Sequence, residues 1–271
     1  MDLRNHMVIT ESDLAKAVRE GADEISISEE ALLTISACEY LHSHPLKLIC
    51  SNADASDVKV STLKLEIVRA GRKLWERHYV DGSGGNISAR LSQEQLICTP
   101  SLCGMGDLTL ADFAIVNMDG TRVSGAKHPS SEIMLHLEIY RAVPQAKAVI
   151  HCHPPHAMAY AITGRIPLGC MVPEYEVFVG KVAMAPYETP GSPEFARSVK
   201  HYVRDGNVVL LQNHGIVCWA DTVTQAEWTA EIFETYCQTV TLAFNSGAEL
   251  IPIPESRLEE LRAIRKKLGL P

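Results

Sequence analysis

An α/β or α+β fold around a mixed sheet is predicted, on three observations. Short apolar runs of strand character alternate irregularly with segments of helical periodicity. Turn signals such as residues 81–85 and Asp119-Gly120 separate them. No repeat, low-complexity segment or long Pro/Gly/Ser linker divides the chain.

Taken in order, residues 11–20 read as a helix, 24–28 as a strand and 28–41 as a second helix. The polar stretch 51–56 makes a loop and the best boundary candidate, which divides the chain into an extension, 1–60, and a main domain, 61–271. Leu63, Ile67, Ala70 and Leu74 recur at helical spacing, so 61–79 is an amphipathic helix. Strands follow at 87–91, 96–99 and 114–117, and a helix with a serine start signal at 130–141. Beyond it come the apolar strand 148–153, a helix near 156–162, a strand near 181–185 and a helix at 192–204. Strands 207–211 and 215–219, a long helix at 222–244 and a charged helix at 255–268 complete the chain.

Bulk composition narrows the function. With 271 residues, 46% hydrophobic and 21% charged, the chain can bury a sizeable core. A net charge of -8 and no long basic run before 262–267 argue against nucleic acid as a partner. No apolar run approaches the roughly 20 residues needed to span a bilayer, and residues 1–10 are too polar for a signal peptide. The eight cysteines contain no CxxC pair, and several sit in apolar runs, so thiols in a reducing compartment are expected. The expected location is cytoplasmic. No GxGxxG or Walker A motif opens a helix.

The most informative segment is Ala-Val-Ile-His151-Cys-His153-Pro-Pro. Side chains two apart on a strand share a side, so the two imidazoles converge at the end of an apolar strand. Such a pair suits a borderline-soft divalent cation, zinc first, with Mn²⁺, Co²⁺ or another divalent ion as alternatives. His214 ends another apolar strand, and Gly215 behind it is expected to allow a sharp turn. Glu132 opens a helix, where a carboxylate is favoured by the dipole and can also reach a metal. His136, one turn on, is a rival ligand; His128 and His156 are weaker rivals, better read as surface or capping groups.

A second set points to an anion. The turn from Asp81 to Ser88 holds three glycines with hydroxyl and amide donors, and such turns aim backbone N–H groups at phosphate. Ser130 and Ser131 at a helix start add a cap and a dipole end, and Thr99-Pro-Ser101 adds hydroxyls. Each is more often a turn or a cap; together with the metal set they suggest a small phosphorylated substrate.

With these motifs the chain resembles the class II aldolase/adducin family, over roughly residues 63–244. GGNIS (84–88), TPS (99–101), PSSE (129–132), HCH (151–153), APYETPGS (185–192) and QNHG (212–215) carry the resemblance. It implies a three-layer α/β/α sandwich around a mixed, largely antiparallel sheet, and a homotetramer with sites between subunits. It implies zinc on His151, His153 and His214, with Glu132 as an exchangeable ligand and catalytic base. Phosphate contacts fall on Ser83, Gly85, Asn86, Ser101, Ser130 and Ser131. The implied reaction is the cleavage of a ketose phosphate of L-fuculose-1-phosphate type to dihydroxyacetone phosphate and an aldehyde. The implied mechanism is metal-stabilised formation of an enediolate. A glutamate at position 132 favours such cleavage, since the family's 4-epimerase carries aspartate there. A decarboxylase or 4-epimerase acting on a related sugar phosphate or sugar acid is the alternative within enzymes. A non-catalytic adducin-like binding module is the alternative outside them, and it predicts lost ligands. A zinc hydrolase would need HExxH or its inverse, which is absent. Two departures stand out: Leu102 replaces a glycine usual after the TPS serine, and the tyrosine acid of the fuculose-phosphate aldolases has only Tyr175 as a loose counterpart.

Overall fold

The computed structural model describes residues 1–28, 31–44, 46–50, 55–204 and 206–270. Its first elements are β1 (Asp2–Leu3), β2 (Val8–Ile9), α1 (Glu11–Arg19), β3 (Glu24–Ile27), β4 (Leu32–Leu33), α2 (Ile35–Ser43) and β5 (Lys47–Cys50). Thr10 starts α1 through a capping box with Asp13, which takes up otherwise unpaired N–H groups. β1, β3 and β5 form a parallel sheet of their own, and β2 pairs with β4. The expected helix over 28–41 is corrected: a short strand occupies 32–33, and Thr34 caps α2 by accepting the N–H of Ala37 at 3.2 Å. Most of the expected loop at 51–56 lies outside the described residues.

The main sheet comes from β6 (Asn86–Arg90), β7 (Gln95–Cys98), β8 (Ala114–Asn117), β9 (Arg122–Ser124), β10 (Ala148–Cys152), β11 (Val182–Ala185), β12 (Val208–Leu211) and β13 (Gly215–Ala220). They lie in the order β11-β12-β13-β10-β6-β7-β8-β9, and β11–β12 is the single parallel pair in that sheet. The helices are α3 (Ala55–Glu76), α4 (Ile133–Ala142), α5 (Pro155–Thr163), α6 (Pro193–Ser198), α7 (Val223–Asn245) and α8 (Glu255–Lys267). The expected helix over 192–204 is shorter: α6 stops at Ser198 and one 3₁₀ turn, Val199–His201, follows.

Strand alternation sorts the residues into two cores, one on each face of the sheet. Ile87, Ile97, Ala148, Ile150, Ile216 and Cys218 pack with α3, α5 and α7, and this core continues into the amino-terminal sheet through Ile25, Ile27 and Leu48. Leu96, Val149, Val209, Val217 and Trp219 pack with α4 and α6. The result is the three-layer α/β/α sandwich around a largely antiparallel sheet. Cys38, Cys98, Cys103, Cys152, Cys170, Cys218 and Cys237 are free thiols, and no helix of the described residues is long and apolar enough to cross a membrane.

Candidate functional site

Two neighbouring strands gather the histidines at one end of the sheet, and a third brings Asn86 to them. β6 and β13 both run antiparallel to β10, so the start of each meets the end of β10. Asn86, first in β6, lies directly across from His151, and Ile216 lies across from Cys152, which puts His214 beside the His151–His153 pair. β10 ends at Cys152, yet the Nε2 atoms of His151 and His153 stand 3.0 Å apart. The His214 ring centroid lies 4.6 Å from that of His151 and 5.3 Å from that of His153. One ring nitrogen from each of the three falls within 4.8 Å of the others, an arrangement that could hold a metal ion.

The turn at 212–215 works differently from its sequence expectation. Asn213, not the glycine, takes the left-handed conformation, at φ 57, and Asn tolerates it. Gly215 is required for space instead: a Cβ there would lie 2.5 Å from the Cys152 carbonyl oxygen and 2.7 Å from His153 Cδ2. Gly85, at φ 73, meets both demands, since its Cβ would sit 2.6 Å from Val80 Cγ1.

Glu132 is the N-cap residue of α4, but its side chain makes no capping bond. Its carboxylate turns to the histidines: Oε2 lies 3.4 Å from His151 Nε2, and Oε1 lies 3.4 Å from His214 Nε2. Burial raises the Glu132 pKa, and a 2.8 Å hydrogen bond from Asn86 Nδ2 opposes the rise. Burial and the neighbouring imidazoles push His151 well below the ordinary histidine range. Burial, and then His153, bring His214 down to about 4; burial also lowers His153 against the pull of Asp81. Neutral imidazoles keep lone pairs for a cation. His151 Nδ1 donates to the Ile216 carbonyl at 2.8 Å, which leaves its Nε2 as the lone-pair nitrogen. Among the described residues, His214 Nδ1 is buried without a partner. Three nitrogens and a carboxylate are a donor set that fits zinc.

His136 does not join the three histidines. Its Nε2 lies 2.5 Å from Asn86 Oδ1 and its Nδ1 lies 2.7 Å from Ser88 Oγ, so it stands behind Glu132. Sequence reasoning missed Ser88 and Tyr140 in this cluster. The signal was present: Glu132, His136 and Tyr140 follow one another at four-residue spacing, and Asn86 and Ser88 share a strand face.

The anion-type residues gather nearby. An isolated bridge between Pro100 and Pro129 joins the 99–101 and 129–132 segments. Ser101 Oγ donates to the Pro129 carbonyl at 2.9 Å, and Ser130 Oγ accepts the Glu132 N–H at 3.2 Å. Ser83 and Ser131 are exposed and Gly85 is half-buried. The side chain of Asn86 is buried and bonded at both ends, to Glu132 and to His136. Leu102 keeps the backbone form that a glycine would favour, at φ 55, with its side chain 91% exposed.

The other candidates have other roles. Tyr175 is a core residue of this chain, its ring stacked 3.8 Å from that of Tyr236 and 4% exposed. His156 donates its backbone N–H to Glu234 and stands with Nδ1 2.8 Å from the same oxygen. His128 gives its carbonyl to the Ser101 N–H at 3.0 Å.

Known proteins resemble this chain in sequence and in fold. The family profile described as Class II Aldolase and Adducin N-terminal domain matches residues 65–241. A 3-oxo-tetronate 4-phosphate decarboxylase of Cupriavidus necator is 38% identical over 208 residues, covering 74% of this chain and 95% of that protein. An L-fuculose phosphate aldolase of Methanococcus maripaludis is 34% identical over 173 residues, covering 64% of this chain and 93% of that one. Among solved structures, an L-fuculose 1-phosphate aldolase superposes with a TM-score of 0.70 at 29% identity, covering 78% of this chain and 97% of that chain. The chain therefore belongs to the class II aldolase and adducin family.

Proposed function

We propose that the protein is a metal-dependent carbon–carbon lyase whose product is dihydroxyacetone phosphate. The observation that carries this reading is Glu132, held 3.4 Å from two of three clustered histidines. In this reading His151, His153, His214 and Glu132 hold a divalent ion, zinc first and Mn²⁺ or Co²⁺ as alternatives. When bound, such an ion supplies Lewis acidity for a developing oxyanion.

The remaining work falls to the chain. Ser83, Gly85, Asn86, Ser101, Ser130 and Ser131 surround the phosphate with donors and a helix start. Glu132 returns a proton to the carbon that has lost its bond. For a ketose 1-phosphate, the C4 hydroxyl gives its proton to a second base beside the leaving oxygen, the C3–C4 pair moves toward the C2 carbonyl, and an aldehyde departs. Protonation at C3 then gives dihydroxyacetone phosphate.

A second reading is favoured by the 38% identity to the 3-oxo-tetronate 4-phosphate decarboxylase. There the C1–C2 pair moves toward the C3 carbonyl, carbon dioxide departs, and protonation at C2 yields the same product. Both readings pass through one enediolate. We further assign residues 61–271 as the catalytic unit with 1–60 packed on it, working as a cytoplasmic homotetramer.

The shared half-reaction is the test. Zinc-loaded protein in D₂O is expected to exchange one hydroxymethyl hydrogen of dihydroxyacetone phosphate, and Glu132→Gln is expected to lose that exchange. Cleavage of L-fuculose 1-phosphate and of 3-oxo-tetronate 4-phosphate then separates aldolase from decarboxylase. Failure of zinc-loaded wild-type protein to exchange would overturn the lyase reading.

A further inference from the structure

Behind the carboxylate lies a buried polar row that packing alone does not require. Ser88 and Asn86 project from one face of β6 onto α4, where His136 and Tyr140 meet them. Ser88 is fully buried, His136 and Tyr140 are each 1% exposed, and Asn86 is 4% exposed. Apolar side chains would fill a helix–sheet contact of this kind without any polar group to satisfy.

The hydrogens of this row can be placed by elimination. Asn86 must present its amide nitrogen to the Glu132 carboxylate, at 2.8 Å, because its carbonyl would repel it. Its Oδ1 then faces His136 Nε2 at 2.5 Å, so that nitrogen carries the proton. Burial keeps the His136 ring neutral, bringing its pKa down to about 3. Nδ1 is therefore an acceptor, and Ser88 Oγ–H donates to it at 2.7 Å. Tyr140 O–H donates to the Ser88 carbonyl at 3.0 Å and stands 3.0 Å from Ser88 Oγ. From Ser88 onward every donor points the same way, toward Glu132, and aligned hydrogen bonds polarise one another.

We infer that His136 is a positioning residue for the lyase reaction: through Asn86, and with its tautomer set by Ser88, it fixes the rotation of the Glu132 carboxylate between His151 and His214. This inference rests on the proposed role of Glu132. A carboxylate anchored at Oε2 presents Oε1 toward His214 in one orientation, and a misplacement of about 1 Å can cost on the order of 100-fold in rate.

The test compares His136→Met, which removes the donor, with His136→Gln, whose amide can replace it. The readout is hydrogen exchange of dihydroxyacetone phosphate by zinc-loaded protein, with zinc content and Tm measured in parallel. His136→Met should lower kcat about 10- to 100-fold, the range for groups that orient metal ligands, with KM and zinc content held within about twofold. His136→Gln should recover most of the loss, and Ser88→Ala should fall between. Equal exchange in His136→Met and wild type overturns the inference; so do equal losses in both His136 variants accompanied by lowered Tm, which mark a packing role. A Glu132→Gln protein that still exchanges strikes the proposed role of Glu132 instead, while wild-type protein that does not exchange strikes the lyase reading. Nitrogen-15 histidine spectra decide the matter without activity. His136 should appear as the neutral Nε2–H tautomer, and Ser88→Ala should mix the two tautomers. An Nδ1–H form in the wild type overturns the inference.

Discussion

Substituting Gly215 by alanine perturbs the histidine cluster through a single methyl group, and its cost can be worked from the neighbours. The new Cβ would stand 2.5 Å from the Cys152 carbonyl oxygen, 2.7 Å from His153 Cδ2 and 3.2 Å from His151 Cε1. Carbon–carbon contacts are comfortable at about 3.5–4.0 Å, so the His153 ring must retreat by roughly 0.8 Å or more. The carbonyl cannot retreat as a side chain would, because Cys152 is paired with Ile216 in the sheet. Overpacking of this kind costs about 1–3 kcal/mol, which for a chain of this size lowers Tm by roughly 2–12 °C. The same shift spoils the convergence of the ring nitrogens, so zinc affinity should fall about 10- to 100-fold, as when a ligand loses its orientation. Thermal unfolding of the metal-free protein and chelator competition for zinc measure the two effects separately. A Gly215→Ala protein with wild-type Tm and wild-type zinc affinity would refute the claim that this glycine makes room for the rings.

Three other perturbations test other joints of the structure. Pro154 and Pro155 open α5 without a side-chain cap, and Glu234 of α7 accepts the N–H groups of His156 and Ala157 at 2.9 and 2.8 Å; Glu234→Ala should cost about 2–3 kcal/mol by denaturant titration, and a loss under about 0.5 kcal/mol would contradict the capping role. Leu102 bears left-handed strain while 91% exposed, so Leu102→Gly exchanges a penalty of about 1–2 kcal/mol for the glycine entropy cost of about 0.5–1 kcal/mol. Its Tm should hold or rise slightly, and a clear fall would show that the side chain packs on something. Glu227 is fully buried, and burial followed by the charge of Glu231 pushes its pKa up from 4.5 to about 7. The folded state therefore holds a proton that the unfolded chain has released, so this contribution to stability is full below about pH 4.5 and lost as pH rises through about 7. Glu227→Gln should flatten that slope in unfolding measured from pH 5 to 8, and an unchanged slope would sink the assignment.

Much of the site was legible because its chemistry is local in sequence. The two-residue strand period put His151 and His153 on one side, and the helix start marked Glu132. What sequence could not supply was strand register. The i, i+4 spacing of Glu132 and His136 made both look like ligands, and only the pairing of Asn86 with His151 shows which neighbours each one meets. Gly215 was read as a turn because glycine's conformational freedom is its usual signature, whereas here its lack of a side chain decides. The amino-terminal segment was harder for another reason. Strands of two residues, such as β1, β2 and β4, are too short to show an alternation, and their parallel pairings are non-local. The helix start at Thr34 carried a capping signal, but the apolar run before it has no period that separates helix from strand.

The two candidate substrates make different demands on the same residues. Decarboxylation releases its fragment with no proton to remove, so Glu132 as the single carrier suffices for the protonation that follows. Retro-aldol cleavage must also accept the proton of the departing hydroxyl, which calls for a second group near the leaving oxygen. Tyr175 cannot serve from within its own subunit, because its ring is stacked on Tyr236 inside the core. An aldolase built on this chain therefore needs a carrier placed elsewhere, and the tetramer proposed above would offer a place for one if its sites lie between subunits. A decarboxylase has no such requirement. The two assignments consequently predict different responses to dissociating the assembly: fuculose 1-phosphate cleavage should fall with subunit separation, while proton exchange into dihydroxyacetone phosphate, which asks only for Glu132 and the metal site, should survive it.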